Sequence, residues 1–126
     1  MDKTIINSNQ APEPIGPYSQ AVLIGNTLYI SGQIPIDRST GNMQNASIEE
    51  ETEQVMKNLG FILKEAGLDN KHVIKCSIFI RNMDDFGRIN AEYGKYFQVD
   101  PPARETVEVS RLPKNVNVEI SCIAIK

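Results

Sequence analysis

The chain has 126 residues, 40% hydrophobic and 23% charged, which suits one domain over residues 1–126 with a modest core. A net charge of −3 without a basic cluster argues against a nucleic-acid partner, and no apolar run is long enough to span a membrane. The start, Met1-Asp2-Lys3-Thr4-Ile5-Ile6, has neither the apolar core of a signal peptide nor the composition of a transit peptide, so a cytoplasmic location is expected.

In chain order, Thr4 to Asn7 can form a short strand. Residues Ala11 to Pro17 hold three of the seven prolines and must form an extended loop. Tyr18 follows it, either as a site residue on a scaffold edge or as a ring packed on the loop. Gln20–Ile24 and Thr27–Ser31 read as strands joined by the hairpin turn Gly25-Asn26. Leu28 and Ile30 face one side of the second strand, Tyr29 and Ser31 the other. Gly32 then either lets a ligand approach the backbone or marks a bulge.

Asp37 to Ala46 is polar and reads as a loop. Ser47 with Glu50 makes a capping box, and Glu49, Glu50 and Glu51 suit the positive end of a helix. Thr52, Val55, Met56, Leu59, Ile62, Leu63 and Ala66 give that helix its apolar face, and Gly67 stops it. Val73–Arg81 reads as a strand with Ile74, Cys76, Ile78 and Ile80 on its apolar side. A second helix is expected from Asp84 or Asp85 to Phe97, with Phe86, Ile89, Tyr93 and Phe97 as its stripe. Asn90 sits beside the stripe, half-buried, as a structural bridge or a ligand contact. Cys76 and Cys122 read as inert core thiols, and His72, the one histidine, as a surface residue, so no metal site is expected.

Pro101 to Val109, with Arg111-Leu112-Pro113 and Val118-Glu119-Ile120, is the most informative stretch. Alternation puts Arg104, Thr106 and Glu108 on one side of a strand, and Glu119 and Ser121 on the polar side of the next. If Ser110 to Asn115 closes a hairpin, Thr106 lies opposite Glu119, and Arg104 lies opposite Ser121 and diagonal to Glu119 on a shared polar face. Arginine can grip a carboxylate through two parallel hydrogen bonds, and a glutamate can move a proton or orient a water. A site for a small carboxylated molecule and a plain cross-strand ion pair both fit this pattern.

The stretch resembles the signature of the RidA (YjgF-type, reactive intermediate deaminase) family. Three more stretches resemble it in the same order: Gly16-Pro17-Tyr18-Ser19-Gln20-Ala21, Tyr29-Ile30-Ser31-Gly32-Gln33-Ile34-Pro35 and Ile89-Asn90-Ala91-Glu92-Tyr93. The resemblance implies an α+β, chorismate mutase-like fold: a mixed sheet with two helices packed on one face, in a homotrimer with sites in clefts between subunits. It also implies that Arg104 binds the substrate carboxylate and Glu119 positions the attacking water. Tyr18, Ser31 and Asn90 match the family's site tyrosine, serine and asparagine, and backbone near Gly32 and Thr106 would fix the substrate. Thr106 stands where many members carry cysteine. Glu105 stands where a small residue is usual and, by parity, points away from the site.

The activity implied is hydrolysis of 2-aminoacrylate-type enamines and 2-imino acids such as 2-iminobutanoate to 2-keto acids and ammonia, without metal or cofactor. Two other readings stay open. An endoribonuclease that inhibits translation lacks a histidine pair and a positive surface. A non-enzymatic ligand sensor or holdase chaperone would use the same clefts.

Overall fold

The computed structural model describes residues 2–126. Eight strands form in chain order: β1 (Lys3–Ile6), β2 (Ala21–Ile24), β3 (Thr27–Gln33), β4 (Ile36–Asp37), β5 (Asn42–Met43), β6 (Val73–Ile80), β7 (Ala103–Glu108) and β8 (Val118–Ile125). Helix α1 (Ile48–Glu65) lies between β5 and β6, and α2 (Phe86–Gly94) between β6 and β7. The main sheet runs β1-β2-β3-β8-β6-β7, and β4 and β5 pair separately. The polar segment after Asp37, expected to be a loop, thus contains a small ladder, with Ile36 opposite Met43.

The architecture is the expected mixed sheet with two helices on one face. Leu28 and Ile30 of β3, Val118, Ile120, Cys122 and Ala124 of β8, and Cys76, Ile78 and Ile80 of β6 point to the helices. Val55, Leu59, Ile62 and Leu63 of α1 complete this core. Each fully buried aliphatic of this size is worth about 1.5–3 kcal/mol relative to exposure, so the period-two and period-3.6 patterns together fix the layers. Cys76 and Cys122 are register partners inside the core, and burial raises both thiols above their ordinary range.

Helix α1 starts where expected: the Ser47 Oγ accepts from the Glu50 amide at 3.1 Å. Gly67, at φ +78°, takes the left-handed conformation that ends it. The acidic start is not uniformly solvated, however. Glu51 is 1% exposed. Its carboxylate accepts from the Asn117 amide at 2.9 Å and from Asn117 Nδ2 at 2.5 Å. Glu49 instead bridges the helices, taking two hydrogen bonds from Arg88 at 2.6 and 2.7 Å, which hold its carboxyl down at about 2.

Three further expectations about the main sheet and α2 need correction. Ile74 does not join the apolar face: a register shift between Val73 and Lys75 turns it outward, 49% exposed, and buries Val73 in its place. Helix α2 ends at Gly94, short of Phe97, although the Phe97 ring still meets Tyr93 at 5.0 Å between centroids. The third correction moves the candidate site. β7 does not form a hairpin with β8. It pairs in parallel with β6, and β6 pairs with β8 on its other side. The segment β6-α2-β7 is a strand-helix-strand crossover, for which parallel pairing is the rule.

Candidate functional site

Inserting β6 between β7 and β8 separates the two residues that the hairpin reading brought together. Arg104 pairs with Cys76, and Cys76 with Cys122, so Arg104 belongs to the row that faces the helices. Glu119 pairs with Phe79, and Phe79 with Val107, a row on the uncovered face. Two strand spacings put the backbones about 10 Å apart, and the side chains leave from opposite faces. Arg104 and Glu119 of one chain therefore do not meet, and the candidate residues fall into two groups.

The first group lies on the sheet edge. Arg104 donates from Nη1 to Asn90 Oδ1 at 2.6 Å. Its guanidinium carbon lies 5.1 Å from the Tyr93 ring centroid and 5.6 Å from that of Phe86. Asn90 is exposed rather than half-buried, and it aims the arginine. With Nη1 held and the ring faces behind it, the remaining guanidinium donors are preorganised for an anion. Thr106 shares this side, and its buried Oγ1 lacks a hydrogen-bond partner among the described residues. Glu108, next on the same side, accepts from the Met83 amide at 2.8 Å and so ties β7 to the turn before α2.

The second group forms a pocket of about 350 Å³ lined by Ile15, Tyr18, Ser31, Gly32, Ile34, Pro113 and Glu119. Its floor depends on Gly32. A Cβ there would lie 2.8 Å from Glu119 Cδ and Oε2, so the missing side chain makes room for a carboxylate, and the β3–β8 register shifts between Ile30 and Gln33, the bulge that is one of the two sequence readings of this glycine. The Ser31 hydroxyl donates to the Ser19 carbonyl at 2.6 Å and pins the loop that presents Tyr18. Tyr18 is half exposed at the rim, and its hydroxyl accepts from the Ile15 amide at 3.4 Å.

Among the described residues, no side chain or backbone donor bonds the Glu119 carboxylate, and burial raises its pKa above the ordinary carboxylate value. A partly buried carboxylate without a partner is a poised proton acceptor. Sequence reasoning missed the apolar wall of Ile15, Ile34 and Pro113 around it. The proline-rich loop flanking Tyr18 was the available signal.

Glu105 points away from Arg104, as parity required, but onto the same open face as Glu119. It accepts from Lys75 Nζ at 2.9 Å and from the Ser77 hydroxyl, and these two contacts lower its pKa, the hydroxyl contributing more. That face also carries Tyr29, Phe79, Val107, Ile123 and Ile125, with Tyr29, Val107 and Ile125 exposed. Exposed apolar side chains interleaved with polar ones in this way suit an interaction surface.

Comparison with known proteins places this arrangement in context. A family profile described as Endoribonuclease L-PSP matches residues 8–126. A RutC family protein of Pyrococcus horikoshii is 48% identical over 124 residues, spanning 98% of each chain. A 2-iminobutanoate/2-iminopropanoate deaminase of Mus musculus is 44% identical over 124 residues, 98% of this chain and 92% of its own. The crystal structure of YyfA from Yersinia pestis, a conserved Rid family protein of unknown function, superposes with a TM-score of 0.96. It is 44% identical and covers 99% of this chain and 100% of its own.

Proposed function

This chain belongs to the RidA (YjgF-type) family, and on that premise we propose that it hydrolyses reactive 2-enamine and 2-imino acids to 2-keto acids and ammonia. The observation that carries the reading is the division of the candidate residues. An oriented, exposed arginine stands on one edge, and an unpartnered carboxylate stands in a pocket on the opposite sheet face. Each is half of what a carboxylated imine needs. A second copy docking its β7 edge against the open face would bring Arg104 to the pocket, which fits a homotrimer with one site at each interface.

In this reading Arg104 of one subunit holds the substrate carboxylate, with Asn90 keeping the guanidinium aimed. The imine carbon then lies over Gly32 with Ser31 and Tyr18 around it, and Thr106 lies beside the carboxylate. Glu119 of the other subunit accepts a proton from water as the water oxygen bonds to C2. The C=N pair moves to nitrogen, and Glu119 passes the water proton to that nitrogen to give a neutral carbinolamine. Glu119 then takes the carbinolamine hydroxyl proton as C=O forms and the C–N bond breaks, and it delivers that proton to the departing nitrogen, so ammonia leaves and the carboxylate is regenerated. An enamine enters the same path once its β-carbon is protonated. The imine is already electrophilic, so position and proton transfer supply the catalysis.

The direct test follows 2-keto acid release from freshly generated 2-iminobutanoate, with semicarbazide competing for the imine. Protein is expected to speed keto-acid formation, and equal rates with and without it would end the deaminase reading. Gly32→Ala gives a sharper test of the pocket floor. The added methyl must push the Glu119 carboxylate aside, and a displacement near 1 Å costs roughly 10²-fold in rate. Turnover is expected to fall by about that factor while the folded state persists. A Gly32→Ala enzyme with wild-type kinetics would show that Glu119 does not act from its observed position.

A further inference from the structure

Helix α1 packs on the sheet mainly through apolar side chains, yet it also buries a polar stripe. Glu51, Gln54 and Asn58 lie at i, i+3 and i+7, on one side of the helix, and are 1%, 8% and 0% exposed. Buried polar side chains add little stability over well-packed apolar ones; what they supply is direction, because their partners must stand where the hydrogen bonds require.

Those partners are two strand ends. Asn58 Nδ2 donates to the carbonyls of Ile34 at 2.9 Å and Ile36 at 3.0 Å, while Gln54 Nε2 donates to Asn58 Oδ1 at 2.9 Å. Glu51 accepts from the amide and side chain of Asn117, whose carbonyl accepts from the Arg81 amide at 3.0 Å. Ile34 lies two residues after Gly32, and Asn117 two residues before Glu119. The stripe therefore grips the exit of β3 and the entry of β8, the two strands that bring Gly32 and Glu119 together. The Glu119 side chain lies close over Gly32: a Cβ there would come within 2.8 Å of Glu119 Cδ and Oε2, so the carboxylate's place depends on how the two strands meet.

We propose that Glu51 and Asn58 are positioning residues: from inside the core they set the separation of the β3 exit and β8 entry, and so the placement of the Glu119 carboxylate. This rests on the reading of Glu119 as the proton acceptor. Arg104 and Asn90, on β7 and α2, share the helix-covered side of the sheet with the stripe but make no hydrogen bond to it, so the effect belongs to the chemical step rather than to carboxylate binding.

The test compares Glu51→Ala, Glu51→Gln and Ile62→Val as a core control on the same helix. Glu51→Ala is expected to lower kcat about tenfold to thirtyfold with KM within about twofold, as suits a sub-ångström displacement of a reacting group. Glu51→Gln should recover to within about threefold of wild type. Its oxygen still accepts one bond, and the Asn117 amide can turn to accept the other. Ile62→Val, which loosens the core without touching the stripe, should keep kcat.

A second readout needs no turnover. The carboxyl carbon-13 shift of Glu119 is expected to move in Glu51→Ala and to stay in Ile62→Val. A Glu51→Ala protein whose kcat and Glu119 shift match the control would overturn the proposal. Wild type without deaminase activity would instead remove the functional reading, and the carboxyl shift would still decide whether the stripe places Glu119.

Discussion

Mixing Arg104→Ala chains with Glu119→Gln chains is expected to restore about a quarter of wild-type turnover, although each variant alone is nearly inactive. Arg104→Ala removes a charge-assisted, two-point grip on the substrate carboxylate, a loss of about 1.5–3 kcal/mol, or roughly 10- to 150-fold in kcat/KM. Glu119→Gln removes the proton acceptor. If each site takes its arginine from one subunit and its glutamate from the next, random co-assembly gives an intact pair at half times half of the interfaces. The physical basis is the separation by β6: the two side chains leave opposite faces of one sheet, so no rotamer of Arg104 reaches the pocket of its own chain. The measurement is keto-acid release by co-refolded mixtures at several ratios. A mixture no faster than the average of its two components would exclude the shared site.

Glu119→Gln alone is expected to lower kcat by about 10²–10⁴-fold while leaving the protein at least as stable as wild type at neutral pH. Both effects follow from one cause. Burial raises the folded-state pKa of Glu119 above its unfolded value, so the folded protein binds that proton more tightly. Stability from this group is greatest below the unfolded pKa and declines as pH rises through the folded value; above it the ionised side chain is a standing cost. Glutamine, a neutral isostere, avoids the cost, so its Tm should match or exceed wild type near pH 7, with the difference closing below about pH 4. Activity has the opposite pH dependence, because only the ionised form accepts a proton. The kcat profile of wild type should rise with pH through a value above the ordinary carboxylate range. Thermal unfolding and kcat across pH check the pair of signs. A Glu119→Gln protein clearly less stable than wild type at neutral pH would show that the carboxylate holds the fold rather than acting from it.

Local pattern determined much of this protein. The serine cap and acidic start located α1, and Gly67 marked its end. Alternation correctly put Arg104, Thr106 and Glu108 on one side of their strand and Glu119 and Ser121 on the open side of theirs. Four motifs in order pointed to the family. These features depend on neighbours within a few residues, where propensity, capping and strand parity act.

Which strand lies beside which was decided elsewhere. Nothing within Ala103–Ile125 reveals that β6 lies between its two strands, because that pairing depends on residues about thirty positions earlier and on the crossover through α2. The strand-helix-strand order held the clue, but the proline-containing link imitated a hairpin. Burial of Glu51 was equally out of reach of the sequence, since a glutamate in a first helical turn is usually solvated and only the folded chain sets Asn117 against it. Sequence alone determined the chemistry each strand carries. Tertiary pairing decided that arginine and glutamate stand on opposite faces, because side-chain direction is a local property of a strand and strand adjacency is not.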